Sequence, residues 1–171
     1  LMVRLYKSGL NIPVLYDCDI KEQQLVMSNV PGRPLIELLN DDSIDDATMM
    51  KHLQSAGYSI RMLHRQAIVH GDLSTNNIMI TPSGEAVLID FGLAKIEFET
   101  ELYGIDLHVL FEILGASHPH REGAMEAVLQ GYKQCEQDLG KAAKTPGGDP
   151  VCMEDVIERF DLIRTRVRYH G

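Results

Sequence analysis

The sequence has 171 residues, a net charge of −9, and 44% hydrophobic against 24% charged residues. That is the profile of an ordinary soluble globular domain large enough to bury its own core. The acidic balance argues against general attraction to nucleic acid or to a membrane surface, while leaving room for a local basic patch. No apolar run approaches the roughly 18–20 residues of a spanning helix, and no charged-then-apolar targeting pattern opens the chain. Three widely spaced cysteines, Cys18, Cys135 and Cys152, make no metal-ligand pattern. Their odd number suits buried or free thiols in a reducing compartment, the cytosol and with it the nucleus.

In chain order, Leu1 to Ser8 reads as the end of a helix closed by Gly9. Pro13 leads into Val14-Leu15-Tyr16-Asp17-Cys18. After a turn through Asp19 to Glu22 comes Gln24-Leu25-Val26-Met27-Ser28, giving a pair of strands. Asn29 to Pro34 is a breaker-rich connection. Leu35 to Asn40 is a short apolar-faced helix, and Ser43 and Asp45 are both suited to cap the next one. That helix carries Met49, Leu53, Ala56, Ile60 and Leu63 at steps of four, three, four and three, which makes one buried stripe of core residues. Gly57 inside it costs about 1 kcal/mol relative to Ala and points to close packing against a neighbour.

The helix delivers the chain to His70-Gly71-Asp72-Leu73-Ser74-Thr75-Asn76-Asn77. Two apolar runs follow, Ile78-Met79-Ile80-Thr81 and Ala86-Val87-Leu88-Ile89, around Pro82-Ser83-Gly84-Glu85. This reads as a β-hairpin with a four-residue connection. Asn77 and Asp90 are then placed roughly opposite each other at its open end, about 4.5–5.5 Å apart. An amide oxygen and a carboxylate so placed can share one small hard cation, and Mg²⁺ prefers oxygen ligands. Asp72, in the loop entering the hairpin, is positioned to accept a hydrogen bond from an attacking hydroxyl or water. Gly92 eases the backbone out of the strand. His64 and His70 flank the loop, and neither forms a ligand spacing with the remaining histidines.

After Gly92 an almost wholly apolar helix is expected at about Ile105 to Leu114, central and buried. Asp106 at its start is costly to bury unless it accepts hydrogen bonds. The alternative is an exposed acid stabilised by the helix dipole. His118-Pro119-His120 is a turn, and Met125, Val128, Leu129, Tyr132 and Leu139 mark another helix. Gly140 to Pro150 is a loop. A last helix, about Cys152 to Arg168, buries Ile157, Phe160 and Ile163. Its closing Arg164, Arg166 and Arg168 suit the C-terminal end of a helix dipole.

Asp72-Leu73-x-x-x-Asn77 followed by Asp90-Phe91-Gly92 matches the catalytic loop and metal-binding triplet of protein kinases. The wording of His70–Asn77 and of Leu88-Ile89-Asp90-Phe91-Gly92-Leu93-Ala94 resembles the PRPK family, the small atypical kinases of the KEOPS (EKC) complex. So do Gly9–Pro13, Val26–Gly32, Gly104–Leu110 and the Arg-alternating C-terminus. The resemblance implies an α+β, protein-kinase-like fold, with residues 1–30 the end of an N-lobe and residues 31–171 a mostly helical C-lobe. It implies ATP and Mg²⁺ as cofactors. Met27 would guard the back of an adenine pocket that Ser28 and Val30 meet through their backbones, with Met79 and Ile89 also contacting the nucleotide. Asp72, Asn77 and Asp90 would be catalytic, Asn77 and Asp90 holding the metal. His70 and Gly92 would support the site, and Asp106 would accept from amides of the His70–Asp72 loop. The implied partner is the threonylcarbamoyl-transferase-type metalloprotein subunit of a KEOPS-like complex, with tRNA contact through the C-terminal arginines and no membrane.

The chain departs from protein kinases in ways that matter. Asp106 follows Asp90 by only 16 residues, which leaves little room for an activation loop, and no Ala-Pro-Glu follows. Gly71 stands where kinases commonly carry an arginine, and Ser74 where many carry a lysine. Switching by activation-loop phosphorylation is therefore not expected. The glycine-rich loop, the lysine-bearing strand and its partner glutamate are not found ahead of Leu1, and Lys7, Lys21 and Glu22 do not replace them. The expectation is that these 171 residues alone turn over little ATP while the intact protein hydrolyses it. Two alternatives stand beside this reading. One is a small-molecule phosphotransferase like the aminoglycoside and choline kinases, which also use a His-Gly-Asp loop. The other is a non-catalytic pseudokinase subunit.

Overall fold

A helix, α1 (Met2–Lys7), leads into an antiparallel hairpin of β1 (Leu15–Asp19) and β2 (Gln24–Met27). The computed structural model describes residues 1–167; Arg168, one of the arginines expected in the basic tail, lies outside them. All of β2 and all of β1 beyond Leu15 are exposed. Met27, at 46% exposure, is no core residue, because β1 and β2 form a sheet of two strands among the described residues.

A short β3 (Arg33–Pro34) and α2 (Leu35–Leu39) precede the long α3 (Asp46–His64). Of the two candidate caps, the structure uses Asp45, which accepts from Thr48 N at 2.9 Å and from Thr48 Oγ1 at 2.7 Å. Ser43 is instead bound to Asp41 Oδ1. Such a cap stabilises by about 1 kcal/mol. All five stripe residues of α3 are fully buried. Two-residue strands β4 (Ile68–Val69) and β7 (Lys95–Ile96) pair with each other, and β5 (Ile78–Ile80) pairs with β6 (Ala86–Leu88) and β3. Strands of two residues are too short to show periodicity, so the sequence gives no sign of β3, β4 or β7.

The remaining helices are α4 (Thr100–Ser117), α5 (Ala124–Leu139) and α6 (Met153–Val167). α4 begins well before Ile105 and is not buried on all sides. Ile105 and Val109 are 39% and 36% exposed, while Tyr103, Leu107, Leu110 and Leu114 face the core. In α5 Met125, Val128 and Tyr132 are buried, but Leu139 in the last turn is largely exposed. Among the described side chains of α6, Val156 and Phe160 are fully buried, with Ile157 and Ile163 only partly covered.

Two contacts matter for the site. α3 and α5 cross backbone to backbone: a Cβ at Gly57 would lie 1.8 Å from the Val128 carbonyl oxygen, and one at Gly131 would lie 1.8 Å from that of Gln54. α3 also seats the β5–β6 hairpin, since Ala86 N donates to Ser55 Oγ at 2.8 Å and Ser59 Oγ donates to Ala86 O at 2.9 Å. All three cysteines are free, with Cys135 buried. No helix among the described residues is long and apolar enough to cross a membrane.

Candidate active site

The hairpin has a different register from the symmetric one expected. Ile78 pairs with Leu88 and Ile80 with Ala86, and Thr81 N donates to Glu85 O at 2.9 Å. The connection is therefore the three residues Pro82-Ser83-Gly84. The cause is Gly84, whose φ of +85° closes a three-residue turn with its left-handed residue last. As a result Asn77 faces Ile89, whose amide donates to Asn77 O at 3.0 Å, and Asp90 lies one residue further on. In a regular strand that single step would turn the Asp90 side chain to the other face. Asp90 breaks the alternation, because its own φ is +57°. A non-glycine residue in this region is strained, and such strain clusters at functional sites.

Asp72 and Asn77 are joined directly. Asn77 Nδ2 donates to the Asp72 backbone oxygen at 2.9 Å and to Asp72 Oδ2 at 3.0 Å. Both amide protons are thereby taken, and Oδ1 is left as the free acceptor of a side chain only 9% exposed. Asp72 and Asp90 are exposed, and Asp90 Oδ1 accepts one long bond from Gly92 N at 3.2 Å. The free donors are thus an amide oxygen and a carboxylate, a set that fits a small hard cation. Among the described residues no three His, Cys, Asp or Glu side chains gather around a metal position. A cation held here would draw its other ligands from water and phosphate oxygens.

Asp106 lies within α4, not at its start, and is 3% exposed. Its Oδ2 accepts from His70 N at 2.6 Å and its Oδ1 from Gly71 N at 2.9 Å. The exposed, dipole-stabilised alternative does not describe it. Burial alone would raise its carboxyl. Hydrogen bonding from His64 Nε2, 3.3 Å away, and from the two amides outweighs burial and holds it below the ordinary carboxylate range. His70 is pinned at both ends: its Nε2–H donates to Ile89 O at 3.0 Å, and its ring sits 5.2 Å from that of Phe91. The His70–Asp72 loop is therefore tied by its amides to α4 and by one imidazole to the strand that leads to Asp90.

Met27, Ser28, Val30, Met79 and Ile89 all line one mostly apolar cleft of about 590 Å³, which Asp90 borders. Asp72 and Asn77 lie outside its lining. Ser28 N already donates to Val14 O at 2.8 Å. This leaves the Ser28 carbonyl and the Val30 amide untaken among the backbone hydrogen bonds of the described residues. One acceptor and one donor two residues apart at the rim of an apolar slot are what a purine edge requires.

Read from the sequence, His64 only flanks the loop, Tyr132 only marks a helix, and Arg61 carries no assigned role. His64 is fully buried, with its Nδ1 2.8 Å from Tyr132 Oη and its ring edge-on to Tyr103. Arg61, 1% exposed, reaches Tyr132 Oη at 3.4 Å and pairs with Glu136 at 2.8 Å. The one sign in the sequence was that Arg61 and His64 fall beside Ile60 and Leu63, on the buried side of α3.

A family model for the RIO domain matches residues 1–98. The chain is 36% identical over 140 residues to the KEOPS complex subunit Bud32 of Pyrococcus abyssi, covering 81% of this chain and 62% of that protein. It is 30% identical over 151 residues to the EKC/KEOPS complex subunit BUD32 of Gibberella zeae, 78% of this chain and 58% of that one. A probable bifunctional tRNA threonylcarbamoyladenosine biosynthesis protein of Methanosarcina barkeri is 31% identical over 170 residues, 99% of this chain and 26% of that protein. The chain thus spans less than two thirds of the length of these relatives.

Proposed function

This chain belongs to the RIO-domain family of kinase-like proteins, and from that premise we propose that it is the ATP- and Mg²⁺-dependent phosphotransferase or ATPase module of a Bud32-type protein. In this reading it supports tRNA threonylcarbamoyladenosine formation within a KEOPS-like complex, beside a threonylcarbamoyl-transferase-type metalloprotein subunit. Its setting is the cytosol or nucleus. Residues 1–30 act as the upper wall of the nucleotide cleft and residues 31–171 as the catalytic lobe.

The observation that carries the reading is the Asn77 side chain. With both amide protons donated to Asp72, its oxygen is the one end available to a cation, and the same contact sets the Asp72 carboxylate. Bound Mg²⁺ would supply charge neutralisation at the phosphates, held by Asn77 Oδ1 and the Asp90 carboxylate. Asp72 keeps one carboxylate oxygen to accept a proton from water or a hydroxyl and orient it. Met27, Met79 and Ile89 exclude water from the base, and the Ser28 carbonyl and Val30 amide fix its edge. Asp106 and His70 hold the loop in register with the strand that carries Asp90.

The test is ATP hydrolysis by the intact protein, with and without Mg²⁺. Asp72→Asn and Asp90→Asn are each expected to lower kcat by about 100-fold or more. Mg²⁺ and ATP together are expected to raise Tm, since a ligand bound to the folded state stabilises it. Full activity in either variant removes that residue's role. Phosphate transfer to small amino alcohols in place of hydrolysis would move the protein to the small-molecule phosphotransferases.

A further inference from the structure

The buried chain of groups behind the loop has a direction that can be derived atom by atom. Arg61 can only donate, so its Nη1, 3.4 Å from Tyr132 Oη, makes that oxygen an acceptor. The Tyr132 proton then has one acceptor within reach, His64 Nδ1 at 2.8 Å. A nitrogen that accepts carries no proton, so the His64 proton sits on Nε2, which is the atom facing Asp106 Oδ2 at 3.3 Å. Asp106 in turn accepts from His70 N and Gly71 N. Every group is satisfied in one sense only: Arg61 to Tyr132 to His64 to Asp106, and from the loop amides back to Asp106.

We propose that Tyr132 is a positioning residue for the catalytic loop. It locks the His64 imidazole as the neutral Nε2–H form and so fixes the carboxylate that holds His70 and Gly71. This rests on the phosphotransferase reading for its effect on turnover, but not for its effect on the loop. The charged and titratable groups facing His64 are Arg61 from its own helix, Tyr103 and Asp106 from α4, Tyr132 from α5, and His70 from the loop. Two of them, Arg61 and His70, oppose a second proton on His64, and Asp106 favours one. Burial adds to the opposition. Protonating Nδ1 would also force the Tyr132 hydroxyl to accept twice and leave its own proton without a partner. Tyr132→Phe keeps the ring that fills the core and removes that restraint together with the long Arg61 contact, while Arg61 keeps Glu136 and the Val151 carbonyl.

The experiment is nitrogen NMR of the histidine rings and of the His70 and Gly71 amides in the intact protein, with ATP hydrolysis measured in parallel. In the parent, His64 shows the Nε2–H pattern and takes up a second proton well below the ordinary histidine value. In Tyr132→Phe that proton binds at higher pH and the His70 and Gly71 amide signals move. Turnover falls about tenfold in kcat with KM for ATP unchanged, and its acid limb shifts upward. Tyr58→Phe, a half-buried α3 tyrosine in a cleft beside Gln130 and Gln134, serves as the matched control and changes none of these. Unchanged ring and amide signals in a folded Tyr132→Phe overturn the proposal. So does full turnover in Tyr132→Phe while Asp72→Asn is inactive. If the signals move but Asp72→Asn is also fully active, the positioning stands and the catalytic reading fails.

Discussion

At Gly71 the backbone has φ +80°, and a Cβ there would lie 2.6 Å from the Leu93 carbonyl oxygen. Both facts disfavour any side chain here, the arginine that protein kinases commonly carry at this place included. Gly71→Ala is expected to cost about 1–3 kcal/mol, read as a lowered denaturant midpoint, and to disturb the Gly71 bond to Asp106. Asp106 behaves differently. Asp106→Asn keeps the shape but exchanges one acceptor for a donor facing an amide or the His64 proton. A loss of about 2–3 kcal/mol is expected, again by denaturant titration. Asp72, Asn77 and Asp90 stand out in the sequence because their motif occupies two neighbouring segments. His64 does not, because its partner Tyr132 is 68 residues away and a histidine in the last turn of a helix carries no mark of what it will meet.

Helices and strands differ in how much of them could be read in advance. α3 was legible because Met49, Leu53, Ala56, Ile60 and Leu63 repeat with the helical period, and all five are buried. The apolar stretch of α4 reads as a central, buried helix, yet Ile105 and Val109 are exposed, since composition does not say which side lacks a neighbour. Gly57 did report a close approach, although not to which element: it meets the Val128 carbonyl, and Gly131 meets that of Gln54. Gly131→Ala is therefore expected to push α3 from α5 and destabilise by about 1–3 kcal/mol or more. Gly115→Ala makes the contrasting case. It lies in α4 with nothing within 4 Å of a built Cβ, so the substitution should stabilise by about 0.5–1 kcal/mol. Thermal unfolding of the two variants side by side checks the opposite signs.

For the molecule as a whole, the buried titratable groups set a pH window. His64 is held below the ordinary histidine value by burial against the pull of Asp106, and burial lowers His52 and His118 in the same way. A histidine depressed on folding gives its full stability above its unfolded value, about 6.5. That contribution is lost as pH falls toward the folded value. The depressed Asp106 carboxyl acts in the same direction further down. On the alkaline side the Cys135 thiol is pushed up by burial to about 11, so its contribution is lost as pH rises past the ordinary thiol range. Stability measured by urea unfolding should thus be flat near pH 7–8, fall on acidification from about 6.5, and fall again above about 9. The fold class and the order of the loop, hairpin and supporting helices could be argued from the sequence. The buried polar chain linking them could not, because it is assembled from three helices and a loop.

The three-residue turn Pro82-Ser83-Gly84 has a bearing on how such chains vary. It is an exposed polar tip, of the kind where insertions and deletions normally accumulate. Here one added residue, where the turn keeps its three-residue form, shifts the pairing by a step and moves Asp90 along the strand away from its place beside Asn77. Lineages of this chain should therefore exchange residue types freely at Ser83 while keeping the length between Asn77 and Asp90 constant. A one-residue insertion there should leave a folded protein that no longer responds to Mg²⁺ with ATP.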